Sequence, residues 1–461
     1  MSEPTQETAS SDSLEGQIEQ WRSYLERRQA IRPVDVAELE DHLRGQVAAL
    51  RGAGLSENEA FLVAVKRLGA LDTISNEFAR EHSERLWKQL VIGSTETAEP
   101  AAETRREAIV VFALAVAAGV AFKLPGWFGL DWGSNDTDAF YMRNFSLFVL
   151  PFLTGYFVWK RRLSQGTWGR LALVFAGAVV MANVYPFQDE ADTLALAALH
   201  LPIALWLPVG IAYAGGRWGD TSGRMDFIRF SGELLIYYAL IALGGGVVTG
   251  LTAGMFDAIG IDFEPFFEEW MPCMILGAVI VAAWLVVAKQ SVIENMAPVL
   301  TRLFTPLFAL ALLAFLGTMV FTGRGIDIER EALIVFDLVL VLVLGLLLYS
   351  ISARDPQAPP DAFDRLLVLL LFSGLVADAF ALTAIAARIS EFGFTPNRVA
   401  ALGENVILLG NLGWSTVIYV RFLRGRASFV SLERWQTAYL PAYSIWAAAV
   451  VVGFPLVFRF R

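Results

Sequence analysis

"LLVLLLFSGLVADAFALTAIAARI" runs from Leu366 to Ile389 and carries a single carboxylate, Asp378, near its middle. About 20 apolar residues in a helix span the ~30 Å hydrocarbon core of a bilayer, so this stretch reads as a transmembrane helix. On insertion scales a bare aspartate at that depth costs at least ~2.5 kcal/mol, so Asp378 needs a partner, water or a proton. Gly374 lies one turn before it and Ala381 three residues after it, which makes that face small and turns it toward neighbouring helices.

The same signature repeats on either side. Apolar runs appear at about 108–126, 143–159, 168–187, 194–214, 228–256, 270–288, 302–322, 332–351, 365–388, 403–422 and 437–458. They predict an all-α, polytopic membrane domain of about eleven spans, with the second short and the fifth long enough to be tilted or broken. The whole chain has 461 residues, is 56% hydrophobic and has a mean hydropathy of +0.52, more apolar side chain than one soluble core can hide. Its partner is therefore a lipid bilayer.

Lys and Arg alternate between the connecting loops, fifteen in one set against five in the other. The positive-inside rule puts the richer set, around 160–170, 215–230, 289–302, 352–365 and 421–434, in the cytoplasm, and by parity the N-terminus as well. The expected location is a bacterial inner membrane. Only "FRFR" at the C-terminus disagrees, because eleven spans would leave it outside. Trp127 with Trp132, Trp159 with Trp168, Phe266 with Trp270, and Trp435 with Tyr439 read as interfacial aromatic belts.

Before the membrane region the composition changes. Residues 13–90 are charged and amphipathic, 91–107 have the small polar content of a linker ("GSTETAEPAAETRRE", Gly93 to Glu107), and 108–461 form the membrane domain. In the head, Ile18, Trp21 and Leu25 form one helical stripe, Val36, Leu39, Leu43, Val47 and Leu50 a second, and Phe61, Val65 and Leu68 a third. Gly54 suits a left-handed cap, Ser56 with Glu59 forms a capping box, and Asp72 can open a fourth helix carrying Ile74 and Phe78. Glu38, Asp41 and His42 fall on the flanks and outside of the second helix. They read as a solvated face, because no second histidine or carboxylate pair lies nearby at metal-ligand spacing.

The polar start, "MSEPTQETASSDSLEG", has neither the basic flank and apolar core of a secretory signal nor an arginine-rich transit pattern, so no cleavage is expected. With Cys273 alone, an internal disulfide is impossible and cysteine-based zinc or iron–sulfur sites are excluded. A net charge of -10 and no dense basic run before the membrane argue against nucleic acid as a partner. There is no phosphate-binding glycine loop, HExxH or GxSxG, and the three histidines, His42, His82 and His200, offer little for metal catalysis. No catalytic residue, metal site or cofactor is assigned, and the chain is not read as an enzyme.

Two resemblances extend this reading. "YLERR", "ELEDHL", "GLSENEAFLVAVKRLG" and "ISNEFAR", within Leu14 to His82, resemble the bacterial helical module called permease prefix domain 1, related to the HAAS signalling domain. The resemblance implies a cytosolic regulatory or docking head that captures a regulator protein and carries no catalytic residues. "ARISEFGFTPNRVAALGEN" (Ala387 to Asn405), with the closing "YLPAYSIWAAAVVVGFPL", resembles a bacterial membrane family known as domain of unknown function 4153, over about Phe227 to Phe458. That family implies a membrane architecture and transfers no activity.

Asp378 is the foremost candidate for binding a small molecule, ion or proton, with Asp337, His200 and Asn411 as candidate neighbours; Asn183, Glu233 and Glu404 are further polar residues in or near spans. Pro202 and Pro208 make a kink beside His200 plausible. Gly246, Gly250 and Gly254 have the spacing that lets helices pack backbone to backbone, and the Gly244 to Gly246 triplet could instead break its helix to meet a ligand. The leading expectation is a permease-like transport or binding protein with a regulatory head. A membrane sensor whose head docks a regulator is the alternative. A membrane transferase using Arg388, Glu391, Arg398 and Glu404 ranks last.

Overall fold

A computed structural model describes residues 14–26, 33–69, 99–134, 137–188, 191–288, 297–322 and 330–460, and among them every regular element is helical. The chain divides into two compact units between Thr104 and Arg105.

In the first unit α1 (Leu14–Glu26), α2 (Pro33–Gly52) and α3 (Glu57–Gly69) bury Ile18, Trp21, Leu43, Val47, Leu50, Phe61 and Val65 in one core. Both punctuation signals between α2 and α3 hold: Gly54 has φ +95°, and Ser56 and Glu59 bond reciprocally, Ser56 N donating to Glu59 Oε2 at 3.0 Å. Asp41 and His42 are exposed, as a solvated face requires. The side chains of Leu25, Val36, Glu38, Leu39 and Leu68, and the expected fourth helix, lie outside the described residues.

The second unit begins inside α4 (Glu99–Lys123), which overlaps the end of the expected linker, 91–107. Pro100 suits a first helical turn, and the Ala, Glu and Arg residues after it are helix formers, so half of the expected linker is helix.

Among the described residues, ten helices or helical stretches are long and apolar enough to cross a bilayer, which makes this a multi-pass membrane protein. The expected second span is not among them. It is interrupted, as α5 (Asp138–Asn144), a 3₁₀ turn at Phe145–Phe148, and α6 (Leu150–Lys160). It still returns the chain along α4: the rings of Phe122 and Tyr141 lie 4.9 Å apart at one end, and at the other Tyr156 Oη donates to Glu107 Oε1 at 2.7 Å, with Lys160 on the same carboxylate.

The remaining helices are α7 (Gln165–Val184), α8 (Asp192–Ala214), α9 (Thr221–Asp257), α10 (Glu264–Ala288), α11 (Ala297–Thr322), α12 (Arg330–Ala353), α13 (Ala362–Phe392), α14 (Pro396–Leu423) and α15 (Val430–Val457). α9 runs unbroken for 37 residues, about 56 Å, through the glycine triplet that was expected to pack or to break it. α8 likewise continues through Pro202 and Pro208. The C-terminus folds onto the turn after α7, where Gln188 N donates to Phe460 O at 3.3 Å and the Tyr185 and Phe460 rings lie 5.5 Å apart.

Candidate functional site

α12, α13 and α14 bring together the polar groups that the apolar runs isolate in sequence. α13 and α14 form a hairpin whose turn is set by three devices. Gly393 takes φ +76°, a conformation that favours glycine. Thr395 caps α14 by accepting from Arg398 N, at 3.4 Å. Arg398 Nη1 donates to the carbonyls of Phe392 and Gly393, at 3.1 and 2.9 Å. Arg398 is thus committed to the turn, and the thin transferase cluster loses one of its members.

Inside the hairpin Asp378 is 0% exposed, and neither carboxylate oxygen has a hydrogen-bond partner among the described residues. Gly374 admits α12, with Val343 Cγ1 3.2 Å from where a Cβ would stand, and Ala377 and Ala381 are fully buried beside Asp378. Asp337, on α12, accepts from Asn405 Nδ2 at 2.8 Å and lies close enough to act electrostatically on both Asp378 and Glu404. Asn405 is itself 0% exposed, and its Oδ1 has no donor among the described residues. The cluster is therefore rich in buried acceptors and poor in donors. What completes such a site is a donor: a proton on a carboxylate, or an N–H, O–H or cationic group of a ligand.

Of the four ligand candidates, Asp378 and Asp337 lie within electrostatic reach of each other, and the other two are engaged elsewhere. Asn411 is saturated at the α14/α15 interface. Its Nδ2 donates to Gln436 Oε1 at 2.9 Å and to the Tyr443 hydroxyl, and its Oδ1 accepts from Trp435 Nε1 at 2.8 Å. Gln436 Nε2 closes the circuit on Ser415 Oγ at 2.6 Å. A fully bonded amide has no capacity left for a ligand and serves as a lock between helices. His200 is buried on α8, where Nδ1 bonds the Leu196 carbonyl of its own helix at 2.8 Å. Asn183 exchanges two hydrogen bonds with Asn144, at 2.9 and 2.8 Å, and ties α7 to α5.

The glycine stripe is also placed differently. Gly246, Gly250 and Gly254 have nothing within 4 Å of an added Cβ, so no helix of this chain packs on them among the described residues. Close approach occurs instead at isolated glycines that carry no spacing signal. A Cβ on Gly403 would stand 2.0 Å from the Trp446 ring, on Gly210 2.6 Å from Phe227, and on Gly232 2.7 Å from Tyr349.

Sequence reasoning also missed Asp364. Arg354 donates to both of its oxygens at 3.0 Å, Tyr419 Oη donates at 2.9 Å, and the Arg354 guanidinium lies 4.9 and 4.5 Å from the Phe422 and Phe429 ring centroids. The Asp361/Asp364 capping pair that opens α13 is the sequence signal that could have found it. Among the described residues, no group of three or more His, Cys, Asp and Glu is placed to hold a metal ion.

In the head, Arg44 forks onto Glu15 at 2.7 and 2.8 Å and also bonds Glu40. That hydrogen-bonded guanidinium holds the Glu15 carboxyl below its usual range.

Comparison with protein-family models, with curated proteins and with solved structures found no match for this chain.

Proposed function

We propose that this membrane protein is permease-like: it binds or moves a small molecule or ion in the bilayer, with Asp378 taking up the proton or the ligand's donor group. The observation that carries this reading is one carboxylate, fully buried in a membrane-spanning helix, whose two oxygens find no donor among the described residues. Asp337, held by Asn405 at 2.8 Å, adds a second carboxylate within electrostatic reach of Asp378. The cytosolic head regulates the membrane domain by docking a soluble regulator. Its separate core and its resemblance to a permease prefix module support that assignment, as the basic loops support a bacterial inner membrane with the N-terminus in the cytoplasm.

The test is a thermal-shift screen of the purified full-length protein against ions, metabolites and lipids across pH, in wild type and Asp378→Asn. A ligand at about a hundred times its Kd adds roughly 2.7 kcal/mol to the folded state. We expect a stabilising ligand whose effect is lost in the variant. A ligand that stabilises both proteins equally removes Asp378 from the site. If nothing shifts either protein while the head captures a regulator, the protein is a sensor.

A further inference from the structure

A cavity of about 1440 Å³ opens between the ends of α4, α8 and α10 and the interrupted α5 segment, apart from the helices that hold Asp378. Small-molecule pockets usually measure about 300–1,000 Å³, so the space accommodates a bulky ligand or one with a chain. One wall is apolar, with Leu199, Met271 and Ile275 facing the space. Aromatic rings supply another: Trp127, which is 73% exposed, and the edge-on pair of Trp132 and Tyr141, 5.3 Å apart.

The charges of the lining are unequal. Among the described residues that line it, Lys123 is the one cation, against Asp131, Asp138, Glu268 and Glu269. Lys123 is already engaged: Nζ donates to Glu269 Oε1 at 3.1 Å and lies 5.0 Å from the Trp270 ring centroid. This contact shows how a cation is held at this rim, between a carboxylate and an indole face. No ion pair neutralises Asp131, Asp138 or Glu268 among the described residues. Rings whose faces carry negative potential, beside uncompensated carboxylates and over an apolar wall, favour a positively charged ligand with an apolar body.

We propose that this cavity binds a lipophilic organic cation, its charge set among Trp127, Asp138 and Glu268 and its apolar body along Leu199 and Ile275. The site does not depend on Asp378.

The experiment is equilibrium binding of tetraphenylphosphonium to the full-length protein in phosphatidylglycerol nanodiscs. Tetraphenylborate, an anion of similar size and apolarity, is the control. We expect saturable binding of the cation only. Trp127→Ala should weaken it about 5-fold and the double variant Asp138→Asn, Glu268→Gln at least about 10-fold, as loss of a cation–π contact and of two field charges requires. Asp378→Asn should bind as wild type. Both lining substitutions change exposed side chains, and size-exclusion profiles report whether each variant is folded. Adding phosphatidylethanolamine then separates two sources of the same chemistry: competition points to a lipid headgroup, and its absence to a free cation. Equal binding of the borate, unchanged affinity in the double variant, or loss of binding in Asp378→Asn would each overturn the proposal.

Discussion

Asp364 and Asp378 stand about four turns apart on α13, and both are sealed from solvent, at 1% and 0% exposure. Asp364 accepts from Arg354, from Tyr419 and from the Asp361 backbone; Asp378 accepts from nothing among the described residues. The difference is one of place. Asp364 lies in the first turn of its helix, within reach of an arginine anchored by the Ala358 and Pro359 carbonyls. Asp378 lies in the middle of its helix, between the buried Ala377 and Ala381 and on a stretch where Gly374 lets Val343 of α12 come close. A buried carboxylate with four donors holds a structure together, whereas one with none stores free energy that a proton or ligand can release.

The sharpest way to break this contrast is Arg354→Met. It leaves Asp364 buried without its counter-charge, and should cost about 3–5 kcal/mol, read as a fall in the thermal unfolding midpoint. Adding Asp364→Asn should restore much of the loss; a cost under about 1 kcal/mol for the single variant would show that Arg354 is not a lock. Asp378→Asn should go the other way. Because the change removes a carboxylate that no donor compensates among the described residues, we expect a gain of about 1 kcal/mol in the same measurement, and a comparable loss would mean that a donor reaches Asp378 after all.

The smallest effect belongs to an exposed pair. Glu15→Gln in the head should cost about 0.2–1 kcal/mol, because Arg44 and Glu15 are both solvated. Acid gives the same pair a sign. The folded Glu15 carboxyl titrates below the unfolded value of about 4.3, so its contribution is complete above that pH and is lost as pH falls through the lower, folded value. Protection factors of amides in α1 and α2, taken relative to intrinsic exchange at each pH, should therefore fall on acidification in wild type and fall less in Glu15→Gln; an identical response would remove the linkage.

Much of this architecture was legible from residue order alone. Helical periodicity identified Ile18, Trp21, Leu43, Val47 and Phe61 as core, and Ser56 and Gly54 as punctuation, because these depend on neighbours within a few residues. Run length identified the spans, and the cost of a charge in hydrocarbon singled out Asp378 and Asp337. The break at Phe145 to Val149 escaped it, since an apolar run does not reveal a local change of hydrogen-bond pattern.

What only the tertiary structure decided is which polar groups meet. Asp378 and Asn411 both stand out as polar residues within apolar runs, Asp378 foremost, yet Asn411 is saturated by Trp435, Gln436 and Tyr443, and Asp378 has no donor among the described residues. Glycines at regular spacing advertised a contact that α9 does not make among the described residues, while Gly403, with no pattern around it, receives Trp446. Hydropathy places a residue at a depth in the bilayer; its partners depend on the rotation and neighbours of each helix, which are settled by side-chain packing among segments far apart in sequence.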